Sequence, residues 1–453
     1  MTGHGYVTPP LAWLEHGGDT LALSRVNRRW AVLNPAAAAI IQSCGRPGAT
    51  AQAIHSRFEA RFGPVPGDRF VAWLDDLEAT GLLVRNGQVS KTAQEPSPAS
   101  YSVVHAYIEM LARCNLRCVH CFMGGAPERT EILTVREIKS IIDDLQAAGG
   151  RFVTLSGGEP VLHPDFPEIA RYVTDQGLSG TVISNGTTLR PALLKLIDTL
   201  GFNLAISLDG VSDAVNKKIR GTTARRIIRV IDQALETLGP DRFTLSFTPV
   251  KSNLNEIEPL LEFVEARGIR RVNISVYEEV GRASAHASEL SLSEEDRVQL
   301  MEVLFRRAID LIGKTEIDLN DTRNILSQFI PDLCDDSVHP LWRSVRITSS
   351  GEVFPGSFGA VEHFRLGNIR ETPFSDLLKS KRLSELRAML GRRVERTPEC
   401  KNCEWRQICR GGSVAAAFCA TGEINAPDPH CRGYRAVFPK VAVALANRAP
   451  GPV

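Results

Sequence analysis

The sequence predicts an α/β protein with a parallel sheet, and three observations carry that expectation. Between residues 101 and about 312, six short β-rich runs alternate with amphipathic helical stretches. Several runs end in a short polar, glycine-bearing sequence, where α/β sheets place their chemistry. The chain on either side breaks this alternation, with a compact segment ahead and a cysteine-bearing tail behind.

The strands are expected at residues 103–110, 152–156, 181–184, 204–208, 244–248 and 272–276. Helical periodicity fills residues 135–147, 191–200, 223–238 and 255–267 between them. Six such repeats form either a doubly wound sheet or a partial (β/α)6 barrel.

Ahead of them, Ile54, Phe58 and Phe62 recur every fourth residue until Gly63 stops the helix. Phe70, Trp73, Leu74 and Leu77 repeat the pattern, and Gly81 closes it. Leu82, Leu83 and Val84 then run into Asn86-Gly87, a hairpin signal, and Val89. Helix, helix and hairpin make a winged-helix pattern over residues 1–90. The polar, proline-bearing run KTAQEPSPAS, residues 91–100, reads as a linker.

Charge narrows the partners. The first 90 residues hold eight arginines against seven acidic residues, and the whole chain has a net charge of +1. That balance lacks the basic footprint of a nucleic-acid binder. Capture of a peptide on a strand edge suits the first segment better. The N-terminus has no signal-peptide pattern, and no apolar run reaches the roughly 18 residues that cross a bilayer. A cytoplasmic, reducing location follows as the expectation, with no membrane partner. Grouped cysteines there are ligands more often than disulfides.

The densest group is RCNLRCVHC, residues 113–121. Cys114, Cys118 and Cys121 are spaced to line one helix face, yet they follow a β-rich run, where a strand-end loop belongs. Structural zinc takes four closed ligands, and no fourth cysteine or histidine follows at finger spacing. An iron–sulfur cube is usually held by four cysteinates, so three would leave one iron open to an exogenous chelator. One strand later comes LSGGEP, residues 155–160. Its glycines let backbone approach a ligand, and Glu159 can accept hydrogen bonds from an ammonium group. A plain tight turn is the competing reading. ISNG (183–186) and SLDG (207–210) each put a small polar residue and a glycine at a further strand end.

CxxxCxxC after the first strand and GGEP after the second closely resemble the radical S-adenosylmethionine (SAM) superfamily. The resemblance covers residues 101–312 and implies a partial (β/α)6 barrel of the TIM type. It implies that Cys114, Cys118 and Cys121 ligate a [4Fe–4S] cluster whose open iron is chelated by SAM. Reduction would then yield a 5′-deoxyadenosyl radical that abstracts hydrogen. His120 would lie beside the adenine, and Gly157, Gly158 and Glu159 at the amino group. Ser184 and Asn185 would stand on the ribose side, with Ser207 and Arg220 facing the carboxylate. A low-potential donor such as flavodoxin or ferredoxin is implied.

The tail, residues 313–453, resembles a SPASM domain. Cys400, Cys403, Cys409 and Cys431 fit the four ligands of one auxiliary [4Fe–4S] cluster, although spacing alone also admits a zinc knuckle. Gly356 and Ser413 stand where the family has cysteines, so two ligands of a second cluster are missing. One auxiliary cluster is expected rather than two, with Cys334, Cys419 and Cys44 as buried thiols.

WAVLNPAAAAIIQSC and LEATGLLV resemble the PqqD-like peptide-recognition domain. Together these resemblances imply a maturase that crosslinks a ribosomally made precursor peptide. Two alternatives stay open. One is radical chemistry on a haem or other tetrapyrrole intermediate. The other is a non-catalytic metal-binding scaffold.

Overall fold

A ten-stranded sheet organises the chain. The computed structural model describes residues 5–26, 28–44, 49–85, 102–319, 324–330, 343–356 and 361–448. The expected 91–100 linker, the Asn86-Gly87 turn and Cys334 lie outside these residues.

The N-terminal part opens with strands β1 (Tyr6–Val7), β2 (Leu11–His16), β3 (Asp19–Ser24) and β4 (Trp30–Leu33). Helices α1 (Pro35–Cys44), α2 (Ala51–Phe62) and α3 (Gly67–Ala79) follow, and β5 (Val84–Arg85) returns to pair with β1. The periodic helix pair falls where its spacing put it. The antiparallel β2–β3–β4 sheet was not read from sequence. Its strands lack apolar/polar alternation because both faces are covered. Ala22 and Leu33 pack with the helices, whereas Ala12, Leu21 and Leu23 join the core of the larger body.

The barrel strands are β6 (His105–Glu109), β7 (Phe152–Ser156), β8 (Ser179–Ser184), β9 (Asn203–Ser207), β10 (Phe243–Phe247), β11 (Arg271–Ile274) and β12 (Glu316–Leu319). They lie side by side in sequence order, all parallel. This is the expected alternation plus a seventh strand, too short at four residues to stand out by pattern. Helices α4 (Val135–Ala147), α5 (Phe166–Asp175), α6 (Pro191–Thr199), α7 (Asp213–Arg220), α8 (Ala224–Leu238) and α9 (Ile257–Ala266) connect them. Thr134 starts α4 with a capping box, accepting from Glu137 N at 3.2 Å while Glu137 Oε2 accepts from Thr134 N at 2.7 Å. Such a cap contributes about 1 kcal/mol.

Beyond β12 the sheet continues on its other side. Strand β13 (Ser344–Ile347) pairs parallel with β6, and β14 (Glu352–Pro355) and β15 (Gly367–Asn368) extend it antiparallel. The tail is therefore grafted onto the barrel wall. Its last helix, Cys431–Arg448, lies along α10 (Glu294–Asp310), where Gly433 admits Met301 so closely that a Cβ would meet Met301 Cγ at 2.9 Å.

The two faces of the barrel strands differ sharply. One face, including Ala106, Ile108, Val153, Leu155, Val182, Leu204, Ile206, Leu245, Val272 and Ile274, belongs to the main core. The opposite, inner face is polar. Tyr107 stands level with Thr154 and Thr181, and Glu109 with Ser156. Ser207, Ser246, Asn273 and Asp318 form another row. Tyr107 donates to Ser156 Oγ at 2.9 Å, and Glu109 makes a buried ion pair with Arg346 of β13.

Candidate active site

The three cysteines lie on the loop after β6, in neither a helix nor a strand. Cys114 and Cys118 are buried and Cys121 is half-buried. Burial raises the Cys114 thiol and pushes Cys118 up to about 12. Ligating iron as thiolates would therefore release protons that these sites hold firmly.

The GGEP turn grips this loop. Gly158 N donates to Leu111 O at 2.7 Å, and Glu159 N to Arg113 O at 3.0 Å. A Cβ on Gly158 would stand 2.2 Å from Arg113 O. On Gly157, whose φ is +130°, it would stand 2.4 Å from Leu111 O. Both glycines are thus required by backbone packed on backbone, and that backbone carries Cys114.

Glu159 is fully buried and joins the next strand end. Its Oε1 accepts from Ser184 Oγ at 2.7 Å, and its Oε2 accepts from Asn185 N at 2.8 Å. Burial outweighs these donors and pushes its carboxyl up to about 7. Asn185 reaches back to the cysteines, its Nδ2 lying 3.7 Å from Cys114 Sγ and 2.9 Å from Asn115 Oδ1.

A second network, centred on Asp209, holds His120 and Arg220. Both donate to Asp209 Oδ2 at 2.7 Å, while Thr248 N donates to Oδ1 at 2.8 Å. Asn216 Oδ1 accepts from Asp209 N at 3.0 Å. Burial alone would raise the Asp209 carboxyl; His120 and Arg220 more than offset it and hold it well below the carboxylate range. Cys118 Sγ lies 3.9 Å from Arg220 O, tying the network to the cysteine loop. Ser207 is half-buried on the inner face of β9, level with Ser246. Neither Asp209 nor Asn216 was singled out from sequence, although Asp209 lies within SLDG. Its role depends on partners 11 to 89 residues away.

The residues fit an open-site cluster and a polar chelator. His120 Nδ1 and Arg220 Nε are buried polar atoms with no hydrogen-bond partner among the described residues. Polar atoms buried this way cost free energy until a ligand meets them. No three histidine, cysteine or acidic side chains among the described residues gather as a single-ion site requires.

In the tail, Cys400, Cys403, Cys409 and Cys431 line one small cavity with Trp405, Tyr434 and Phe438. Burial raises all four thiols, Cys431 to about 11. Ser413, at a position where a second cluster would want a cysteine, serves as a helix cap. Its hydroxyl accepts from Ala416 N at 3.2 Å, capping the helix Val414–Thr421. Gly356 sits in a turn at φ +64°, a conformation that favours glycine over cysteine. Cys44 is a fully buried thiol pushed up to about 12, and half-buried Cys419 reaches the same value.

Comparison with known proteins agrees with this arrangement. Residues 108–264 match the radical SAM superfamily, and residues 334–404 match the SPASM iron–sulfur cluster-binding domain. The Fe-coproporphyrin III synthase of Methanosarcina barkeri is 28% identical over 71% of this chain and 86% of its own. The mycofactocin maturase MftC of Mycobacterium tuberculosis is 27% identical over 71% of this chain and 81% of its own. Among solved structures, anSMEcpe with bound AdoMet and Cp18Cys peptide superposes with a TM-score of 0.61 at 17% identity, over 76% of this chain and 99% of that one. Streptococcus suis SuiB bound to precursor peptide SuiA superposes at 0.56 and 14% identity, over 93% of this chain and 98% of that one. At such identities the likeness establishes the fold. No helix among the described residues is long and apolar enough to cross a membrane. A radical SAM domain carries a [4Fe–4S] cluster with SAM, and a SPASM domain carries auxiliary iron–sulfur centres. The chain is a radical SAM superfamily enzyme, with its radical SAM domain over residues 108–264 and its SPASM domain over residues 334–404.

Proposed function

We propose that the chain is a peptide maturase that crosslinks a ribosomally synthesised precursor, whose leader is held by residues 1–90. Residues 101–312 form the radical barrel and residues 313–453 the domain with one auxiliary cluster, joined to the first domain by residues 91–100.

The outer edge of β2, with which no strand pairs among the described residues, carries this reading. Arg25 N donates to Pro10 O at 2.8 Å, and Leu11 stands opposite Ser24. Even-numbered residues therefore turn their backbone groups toward β3, while Leu11, Trp13 and Glu15 turn theirs to the open side. An extended leader can add there as a further strand. Tethering the leader raises the local concentration of the core peptide at the barrel.

Bound at Cys114, Cys118 and Cys121, the cluster and SAM supply radical hydrogen abstraction, with electrons from a low-potential flavodoxin or ferredoxin. The chain's residues position it. His120, oriented by Asp209, lies at the adenine, and Gly157, Gly158 and Glu159 at the amino group. Ser184 and Asn185 take the ribose side, and Ser207 and Arg220 the carboxylate. The polar rows on the inner strand face also support a peptide, because backbone amides find donors and acceptors there, whereas a flat macrocycle prefers apolar walls.

A second reading, an iron tetrapyrrole as substrate, draws on the similarity to Fe-coproporphyrin III synthase. Co-expression with a short open reading frame beside the gene, followed by mass spectrometry, separates the two. A hydrogen pair lost per crosslink supports the maturase. An unchanged peptide, with Fe-coproporphyrin III consumed by the same preparation, replaces it with the second reading.

A further inference from the structure

The loop after β11 folds back onto the cysteine loop. Gly281, at φ +62°, lies so close that a Cβ would stand 2.1 Å from Phe122 O. Arg282 follows it. Its backbone N donates to Cys121 O at 3.0 Å and its Nη1 to Cys118 O at 3.1 Å. Its Nη2 donates to Gly124 O at 3.2 Å and to Gly125 O at 2.9 Å. One half-buried residue thus holds four carbonyls between positions 118 and 125, two of them on cysteines proposed as ligands.

We infer that Arg282 is a positioning residue that clamps the cysteine loop in its ligating shape and favours the reduced cluster through its charge. Three considerations support this. First, the planar guanidinium fork matches a fan of carbonyls, whereas a lysine ammonium is a point charge on a flexible stem. Second, Arg282 forms no ion pair among the described residues: Glu128, which feels its charge, is exposed and pairs with Arg117, and Glu131 pairs with Arg129. Thiolate ligation and reduction both add negative charge at this loop, and net charge and hydrogen bonding set cluster potentials. Third, the same device recurs at the other cysteine group. Buried Arg393 donates to the carbonyls of Ile424 at 2.8 Å, Gly411 at 2.5 Å and Ala426 at 2.6 Å. Gly411 lies two residues past Cys409.

The test uses the full chain as wild type, Arg282→Gln and Arg282→Lys. Without metal, amide hydrogen exchange at residues 114–125 should be at least tenfold faster in Arg282→Gln, with the β6, β7 and β8 amides unchanged. In the anaerobically reconstituted chain, the cluster whose electron paramagnetic resonance signal responds to SAM is titrated. Arg282→Gln should disfavour its reduction tenfold or more, about 59 mV for a one-electron couple. Arg282→Lys should regain most of the potential but not the loop protection, because it restores charge without the fork. Wild-type exchange in Arg282→Gln overturns the clamp, and a wild-type potential overturns the electrostatic role. Faster exchange throughout β6–β8 overturns both, since Arg282 would then serve the fold as a whole.

Discussion

Asp209 is fully buried and accepts hydrogen bonds from a histidine, an arginine and a backbone amide at 2.7–2.8 Å. Asp209→Asn keeps the size, and its amide oxygen can still face Thr248 N. Its nitrogen, however, would face two donors, and Arg220, itself 7% exposed, would lose its counter-charge. Breaking a buried ion pair from one side costs about 3–5 kcal/mol. That is a large part of the roughly 5–15 kcal/mol holding a typical domain together. Removing the guanidinium as well, in Asp209→Asn/Arg220→Met, leaves no stranded charge and should recover most of the loss. Urea denaturation of the metal-free chain at pH 7, followed by circular dichroism, measures both variants. The acid limb supplies a further check. A carboxyl held low in the folded state contributes stability that is fully present above its unfolded value of about 3.9. That contribution fades only as pH falls toward the folded value. Wild type should therefore lose its advantage over Asp209→Asn in strong acid and not near neutrality. A loss below about 1 kcal/mol in the single variant, or a double variant as unstable as the single, would refute this account of the network.

Three further outcomes are expected. Gly158→Ala drives a methyl against Arg113 O, 2.2 Å away, and should lower iron bound at the open-site cluster severalfold on reconstitution; wild-type iron content would contradict the packing argument. Glu159, pushed up to about 7, makes the native state the better proton binder between about pH 4.3 and 7, so stability should fall as pH rises through that window, by about 4 kcal/mol in total. Urea midpoints of Glu159→Gln should lose this slope, and an unchanged slope would remove Glu159 as its source. Glu15→Pro deletes an outward amide on β2 without touching the ladder to β3, and should weaken binding of a fluorescent leader peptide tenfold or more, with equal binding counting against edge capture.

The chemistry-bearing loops were legible in the sequence because their spacing is local. CxxxCxxC and GGEP each occupy a few residues, and the β-rich runs before them place them at strand ends. What stayed hidden is defined by distant partners. Arg282 is an unremarkable arginine until it meets carbonyls 157 to 164 residues upstream. Gly157 and Gly158 were read as room for a ligand, and the structure finds that room filled first by Leu111 and Arg113 backbone. Strands β2–β4 escaped because a sheet covered on both faces loses the alternation that would announce it. The polar inner rows of the barrel were readable in HAYIE, FVTLS and NLAIS, where every second residue from the first is the one turned inward.

The small N-terminal sheet shares its interior with the rest of the chain. Leu21 and Leu23 complete the large core, and Trp30 donates its indole N–H to Phe329 O at 2.9 Å. The Phe329 ring packs edge-on against Trp30 and contacts Trp405 and Phe438, which wall the four-cysteine cavity. Such a segment is poor currency for exchange between lineages. A chimera that grafts it onto another barrel carries half an interface and exposes leucines on both sides of the seam. New partner preferences would therefore arise by drift along its outer helices and open edge, while the inner face, Trp30 included, is inherited with the tail it rests upon.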